Sequence, residues 1–234
     1  SQLPGRPSMG SWMSYGLGSD NADLPAFIVL VSKRVVDQPL SSRLWDHGFL
    51  PSRYQGTQFR AGTDPVLFLS SPPGVPASLD AATRATLRRM HEAEDQHRHE
   101  PELASRVAQF ELAFRMQTSV PEATSIDTEP PAVRALYGPD VETPGSFARN
   151  CLVARRLAEK GVRFIQLYHP GWDSHGALPK EMTQGTREVD APAAGLIEDL
   201  RNRDMLKDTL VVFCTEFGRT CYSQGSIVPG DLGN

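Results

Sequence analysis

Two short apolar runs constrain this sequence most, because each ends abruptly in residues that can bind a metal or an anion. The first run extends from Val162 to Tyr168 and is followed by a polar stretch up to His175. The second extends from Thr209 to Cys214 and is followed by Glu216. Short runs of apolar, β-branched and aromatic residues are typical of buried strands. We therefore predict two strands with metal- or anion-binding residues at their carboxyl ends.

The segments around these runs predict an α/β fold. Ser146 can cap a helix that Gly161 ends, just before the first run. A second helix, which Asp190 caps and which has Pro192 near its first turn, separates the two runs. The order helix, strand, helix, strand implies parallel strands. We therefore predict a mainly parallel central sheet with flanking helices.

The rest of the sequence predicts a third strand and further helices within one domain over residues 1–234. Ala26 to Val31 is the third buried strand, and Ser8 begins a short helix that a glycine closes. Residues 39–144 are predicted to form an irregular and helical excursion from the domain. Within it, a helix that Pro101 opens is predicted to stop at Pro121.

Composition and charge argue against nucleic acid as a partner and against a membrane span. The 234 residues carry a net charge of -4, and no Lys/Arg-rich tract stands out. The longest apolar runs, such as Ala26 to Val31, are far shorter than the ~20 residues of a membrane-spanning helix. The three cysteines show no spacing typical of a disulfide framework or of a metal site.

Three residues at the predicted strand ends form a candidate metal site. Asp173 and His175 are two positions apart, so in an extended segment both point to the same side. Glu216 follows the second run, and the carboxyl ends of parallel strands meet at one edge of a sheet. An imidazole with carboxylates suits zinc or manganese better than calcium or magnesium. In the alternative interpretation, Asp173 caps a turn and Glu216 forms an ion pair with Arg219.

Arg219 and His169 are candidates for contacts around such a site. The planar guanidinium group of Arg219 can bind a phosphate or a sulfate, although it can equally pair with Glu216. His169 ends the first run and can support a ligand by hydrogen bonding, or it is an ordinary loop histidine. Trp12 and Trp172 are predicted to be packing residues. No motif of a known nucleophile or nucleotide loop occurs, so the catalytic residue is unknown from the sequence.

Five separate motifs occur along almost the whole chain. They are Pro7-Ser8-Met9-Gly10-Ser11-Trp12, Tyr15-Gly16-Leu17-Gly18-Ser19, Tyr54-Gln55-Gly56-Thr57, Gly171-Trp172-Asp173-Ser174-His175 and Glu216-Phe217-Gly218-Arg219-Thr220. Together these motifs resemble an uncharacterised bacterial family of exported, sulfatase-like proteins in the alkaline phosphatase superfamily.

The resemblance implies an alkaline-phosphatase-like sandwich, a divalent metal ion and hydrolysis of phosphate or sulfate esters. It also implies a periplasmic or secreted location. Asp173 and His175 match the Asp-x-His metal pair of such proteins, and Glu216 stands at the position of an Asp ligand. Phe217 stands where such proteins have a His ligand, and a phenyl ring cannot bind a metal. This departure implies an altered or single-metal centre, or a loss of activity.

The resemblance also implies that the nucleophile and the remaining ligands lie outside the 234 residues. We therefore expect the fold to be incomplete at both ends and the chain to be inactive alone. Two functions stay open. In the first, the chain is part of a metal-dependent hydrolase that acts on an anionic small-molecule or glycan ester, with zinc, manganese or calcium as the metal. The other is a non-catalytic protein that binds an anionic glycan or a protein.

Overall fold

A computed structural model describes residues 5–33, 40–60, 65–66, 69, 74–98, 101–174, 178–215 and 218. These ranges contain six α-helices and three short strands. In chain order they are α1 (Met9–Leu17), β1 (Phe27–Val31), β2 (Thr57–Phe59), α2 (Ala77–Arg98), α3 (Pro101–Thr124), α4 (Pro131–Leu136), α5 (Phe147–Glu159), β3 (Phe164–Tyr168) and α6 (Leu178–Asn202). Short 3-10 helices occur at Ser42–Trp45, Ser52–Tyr54, Pro139–Glu142 and Leu206–Asp208.

The strands form a parallel sheet with β1 in the centre. β1 pairs with β2 in the register of Ile28 with Thr57, and the strand order is β2-β1-β3. On the other side, the backbone N–H of Phe164 donates to the Ala26 carbonyl oxygen at 3.1 Å, so β3 enters beside the start of β1. An α/β fold with a parallel sheet and flanking helices is therefore confirmed. The more specific alkaline-phosphatase-like sandwich is not confirmed.

The chain forms two compact units. The first comprises residues 1–30, 40–125 and 156–166, and the second comprises residues 31–39, 126–155 and 167–234. α1, β2, α2 and α3 lie in the first unit, whereas α4 and α6 lie in the second. The prediction of one domain over residues 1–234 stays a prediction.

The core of the first unit is built around β1. Phe27, Ile28 and Val29 are fully buried or nearly so, and the Phe27 ring packs edge to face on the ring of Phe164 at 5.1 Å between centroids. Ser8 caps α1 as predicted, because its hydroxyl oxygen accepts a hydrogen bond from the backbone N–H of Ser11. α1 is thereby fixed at its first turn.

The second unit has charged residues in its core. Arg155 on α5 lies 2.8 Å from Asp199 on α6 and 2.6 Å from Glu129, and all three side chains are buried. Tyr137 donates a hydrogen bond to Asp199 at 2.8 Å, and Arg203 pairs with the second oxygen of Asp199. Two carboxylates therefore face two guanidinium groups, and the charges balance inside the core.

Two predicted helix boundaries are wrong. α3 does not stop at Pro121 but continues to Thr124, because the carbonyl oxygen of Pro121 still accepts a hydrogen bond from the N–H of Ser125. α6 begins at Leu178, twelve positions before the predicted cap at Asp190, and it contains Pro192. Pro192 and Val189 are buried, so packing outweighs the hydrogen bond that a proline removes.

The predicted strand from Thr209 to Cys214 is also wrong. The structure shows no regular structure there, and Leu210 is 88% exposed and Phe213 79% exposed. An apolar run forms a strand only where a neighbouring strand completes its backbone hydrogen bonds, and this run pairs with none of the three described strands. Conversely, β2 lies within the excursion that was predicted to be irregular and helical. Its three residues are too few for a periodic signal.

Candidate functional site

The carboxyl end of β3 is held in place by Trp172. The chain leaves the strand at His169 and turns at Gly171, whose φ of 87° favours glycine. The indole N–H of Trp172 then donates to Nδ1 of His169 at 2.9 Å. Gly185 on α6 lies against the indole ring, since a Cβ there would be 3.0 Å from Cη2 of Trp172. The loop after β3 is therefore packed on α6.

His169 uses both of its ring nitrogens. An indole N–H can only donate, so Nδ1 of His169 accepts and the proton of the neutral ring is on Nε2. Nε2 lies 2.8 Å from the carboxylate of Glu188 and donates to it. The other oxygen of Glu188 accepts from the side-chain amide of Gln184 at 3.0 Å. His169 is thus hydrogen-bonded to Glu188, a residue that was not predicted for the site, and the support of a metal ligand by His169 stays a prediction.

An open groove of about 430 Å³ begins beside this pair and follows one face of α6. Its lining residues on α6 recur at three- and four-residue steps, which places them on one side of the helix. They are Lys180, Thr183, Gln184, Arg187 and Glu188, and Asp140 completes the lining. Lys180 and Arg187 can bind an anion there. This face of α6 was not predicted, because the helix was expected to begin only at Asp190.

The predicted metal ligands are only partly described. Asp173 follows β3 and has an exposed side chain. His175, Glu216 and Arg219 lie outside the described residues, so the convergence of Asp173, His175 and Glu216 stays a prediction. Within the described part of the chain, no group of three or more His, Cys, Asp or Glu residues could hold a metal ion.

Tyr168 is the last residue of β3 and is half-buried. Burial raises the pKa of its phenol, and a smaller electrostatic contribution from Cys214 raises it further. The strand end is therefore partly shielded from water.

Fold and site together define an α/β protein with a polar groove at the carboxyl end of a parallel strand. Residues 1–230 match the family described as Protein of unknown function (DUF1501), and the chain belongs to this family. No curated protein and no solved structure matches the chain. None of the helices in the described ranges is long and apolar enough to cross a membrane.

The family match corrects the resemblance to sulfatase-like proteins of the alkaline phosphatase superfamily. No sulfatase family and no alkaline phosphatase family matches, so that assignment was wrong. The motifs that supported it are short, and polar residues follow the strand ends of many parallel sheets. What remains is membership of a family without a known function. Export of the protein stays a prediction.

Proposed function

We propose that the protein binds a phosphate or sulfate ester in the groove on α6 and takes part in its metal-dependent hydrolysis. The proposal rests on one observation: Lys180 and Arg187 lie in the same groove as Glu188. Glu188 accepts a hydrogen bond from His169, which directly follows β3. Ammonium and guanidinium groups are strong donors to phosphate and sulfate oxygens. A parallel strand end is also the usual place for a ligand in an α/β fold.

The residues that we propose to bind the metal are Asp173, His175 and Glu216, with Arg219 as a further contact to the anion. Their donor atoms suit zinc or manganese, and calcium is a third candidate. The exposed position of Asp173 directly after β3 supports the assignment. When bound, a divalent ion polarises an ester oxygen and lowers the pKa of a bound water.

A second function, the binding of an anionic glycan without catalysis, is favoured by the His169–Glu188 pair. Both groups are engaged by hydrogen bonds, to each other, to Trp172 and to Gln184, so the groove offers its two cationic groups more directly than a free proton-transfer group. Lys180 and Arg187 would then bind carboxylate or sulfate groups of the glycan. The two functions differ in their need for a metal.

The metal assignment is tested by calorimetric titration of the protein with zinc, manganese and calcium salts. We expect saturable binding that Asp173→Ala weakens by about 100-fold or more, since even residues that merely support a ligand contribute 10- to 100-fold. Asp190→Ala is the matched control, because Asp190 is an exposed carboxylate on α6. Equal metal affinity in the wild type and in Asp173→Ala would refute the assignment.

The choice between the two functions is tested with inorganic phosphate, sulfate and their p-nitrophenyl esters. Metal-dependent ester binding, with p-nitrophenol released at a rate that falls in Asp173→Ala, supports the hydrolytic function. Binding of polygalacturonate or heparin points to the second function if it survives EDTA and Asp173→Ala. Lys180→Ala combined with Arg187→Ala should weaken anion binding in both cases. Unchanged binding in that double variant contradicts the groove as the anion site.

A further inference from the structure

Helix α1 turns its small residues inward. Gly10, Ser11 and Ser14 are buried. The backbone at Gly10 lies directly against the ring of Phe27, where an added Cβ would be 2.5 Å from the ring atoms. The hydroxyl of Ser11 donates to the carbonyl oxygen of Asp46 at 3.0 Å. The inward face of α1 is therefore held by close backbone approach and by hydrogen bonds, without large apolar side chains.

The large apolar residues of α1 point outward as a result. Between 39% and 61% of each is exposed; they are Met9, Trp12, Met13, Tyr15 and Leu17. A helix on the surface of a soluble unit normally shows the opposite arrangement, with its apolar side facing the core. α1 also carries no charged residue. A contiguous exposed surface of this kind is typical of an interaction site. Trp12 was predicted to be a packing residue, and this half-exposed position corrects that prediction.

Neighbouring aromatic rings extend the apolar face into an ordered row. Phe49, which is 68% exposed, has its ring centroid 5.7 Å from that of Trp12. Trp12 is 5.9 Å from Tyr15, and Tyr15 is 5.4 Å from Tyr54. All three contacts are edge to face, the arrangement that aromatic pairs prefer. Because the rings support each other, little conformational entropy remains to be lost when a ligand binds.

The row ends at a positive charge. The guanidinium group of Arg53 lies 4.8 Å from the centroid of the Tyr54 ring, and it donates a hydrogen bond to the Tyr54 hydroxyl at 2.8 Å. Arg53 is itself exposed. The planar guanidinium group of Arg53 is thus held in place by Tyr54. Its remaining N–H groups can donate two parallel hydrogen bonds to a carboxylate.

We propose that these residues bind a segment of a partner protein that carries apolar side chains and at least one carboxylate. We define the α1 surface as Met9, Trp12, Met13, Tyr15, Leu17, Phe49, Arg53 and Tyr54. Aromatic residues, Met and Arg are the types enriched in protein–protein interfaces, and Trp, Tyr and Arg contribute most of the binding energy there. The positive charge of Arg53, with no acidic residue on α1, is complementary to an acidic segment.

Two other occupants fit the α1 surface less well. Helices that bind at a lipid surface place Lys and Arg on a polar face that remains in water. α1 has no such face, because its polar side is buried. A second copy of the chain would have to present an acidic and apolar segment to Arg53 in a symmetric contact. The inference concerns the first unit alone and does not depend on the proposed hydrolysis.

The test uses random peptides displayed on phage, selected on the wild-type protein and then measured as synthetic peptides. We expect selected peptides to combine Asp or Glu with Leu, Phe or Trp. Their affinity should fall by about 30-fold or more in Trp12→Gln combined with Phe49→Gln, the loss typical of central interface residues. It should also fall in Arg53→Gln. Met90→Gln is the matched control, since Met90 is an equally exposed apolar residue on α2.

Several outcomes would overturn the proposal. One is a selection that yields no binding peptide, and another is a set of peptides that bind the Trp12→Gln/Phe49→Gln variant as tightly as the wild type. Peptides that bind Arg53→Gln as tightly as the wild type would contradict the proposed pairing of Arg53 with a carboxylate of the partner. Association with phosphatidylglycerol vesicles that needs Trp12 and Phe49 would assign the α1 surface to lipid. A dimer in sedimentation that this double variant dissociates would assign it to a second copy. Circular dichroism and thermal unfolding confirm that each variant is folded.

Discussion

The guanidinium group of Arg155 lies 2.8 Å from the carboxylate of Asp199, and both side chains are buried. The same guanidinium group pairs with Glu129, and Tyr137 donates to Asp199. A buried ion pair adds little to the free energy of unfolding by comparison with an apolar core. Removal of one partner lowers that free energy strongly, because the other charge is left buried without compensation. This cluster joins α5, α6 and the segment that precedes α4. It therefore specifies how these three parts of the second unit pack.

Arg155→Ala should lower the free energy of unfolding by about 3–5 kcal/mol, because Glu129 and Asp199 would lose their shared partner in the core. Urea unfolding followed by circular dichroism measures this loss. Arg201→Ala is the control, since Arg201 pairs with Glu198 at the surface and should contribute less than about 1 kcal/mol. A similar small loss in both variants would contradict a structural role for the cluster.

Stability should fall at alkaline pH because of Tyr137. Burial raises the pKa of this phenol, and the hydrogen bond to Asp199 and the negative charge of Asp199 raise it further. The unfolded chain releases the proton near pH ~10, whereas the folded protein keeps it. The contribution of Tyr137 is therefore complete below pH ~10 and is lost by about 1.4 kcal/mol per pH unit above it.

Tyr137→Phe should flatten this dependence between pH 9 and 11, although it removes a hydrogen bond at neutral pH. Free energies of unfolding at several pH values for the wild type, Tyr137→Phe and Tyr168→Phe separate the buried phenol of Tyr137 from the half-buried phenol of Tyr168, since the pKa of Tyr168 is raised as well. Equal alkaline slopes in the wild type and Tyr137→Phe would show that the proton of Tyr137 is not retained on folding.

Two glycines of α1 should respond oppositely to alanine. A Cβ at Gly10 would lie 2.5 Å from the buried ring of Phe27, so Gly10→Ala should destabilise the protein by about 1–3 kcal/mol. Gly16 is exposed and has no atom within 4 Å of an added Cβ. Gly16→Ala should therefore stabilise α1 by about 0.5–1 kcal/mol through helix propensity. Thermal unfolding measures both, and a loss of equal size in both would contradict the packing of α1.

His169 should be present as the tautomer with its proton on Nε2. Trp172 can only donate to Nδ1, and Glu188 accepts from Nε2. Nitrogen-15 chemical shifts from a long-range NMR correlation distinguish the two tautomers at pH 8. Trp172→Phe removes the donor to Nδ1 and should move the spectrum towards a tautomeric mixture. A spectrum of the Nδ1-protonated form in the wild type would refute the hydrogen-bond assignment.

Local signals in the sequence were enough for several elements. Ser8 predicted the start of α1, Ser146 and Gly161 the ends of α5, and the apolar run before Ser32 predicted β1. For the two helices the capping hydrogen bonds come from neighbouring residues, and for β1 the apolar run is itself a local signal. For the site, the sequence correctly placed a polar loop that contains Asp173 after β3.

The rest of the site depended on contacts between distant residues. Lys180 and Arg187 became candidates only because α6 begins at Leu178 and presents them beside Glu188. The pairing of His169 with Glu188 joins a strand end to a helix nineteen positions later. Propensity and capping patterns describe one segment at a time, so they contain no information about such pairs.

By itself the sequence determined the α/β class, the parallel direction of the strands and the presence of flanking helices. These follow from periodicity, caps and the direction of the chain, which are local properties. Only the tertiary structure decided that Thr209 to Cys214 is not a strand, that α1 exposes Trp12, and that Arg155 is buried against Asp199. Each of these depends on whether a distant part of the chain supplies a hydrogen-bond partner, a charge or an apolar surface.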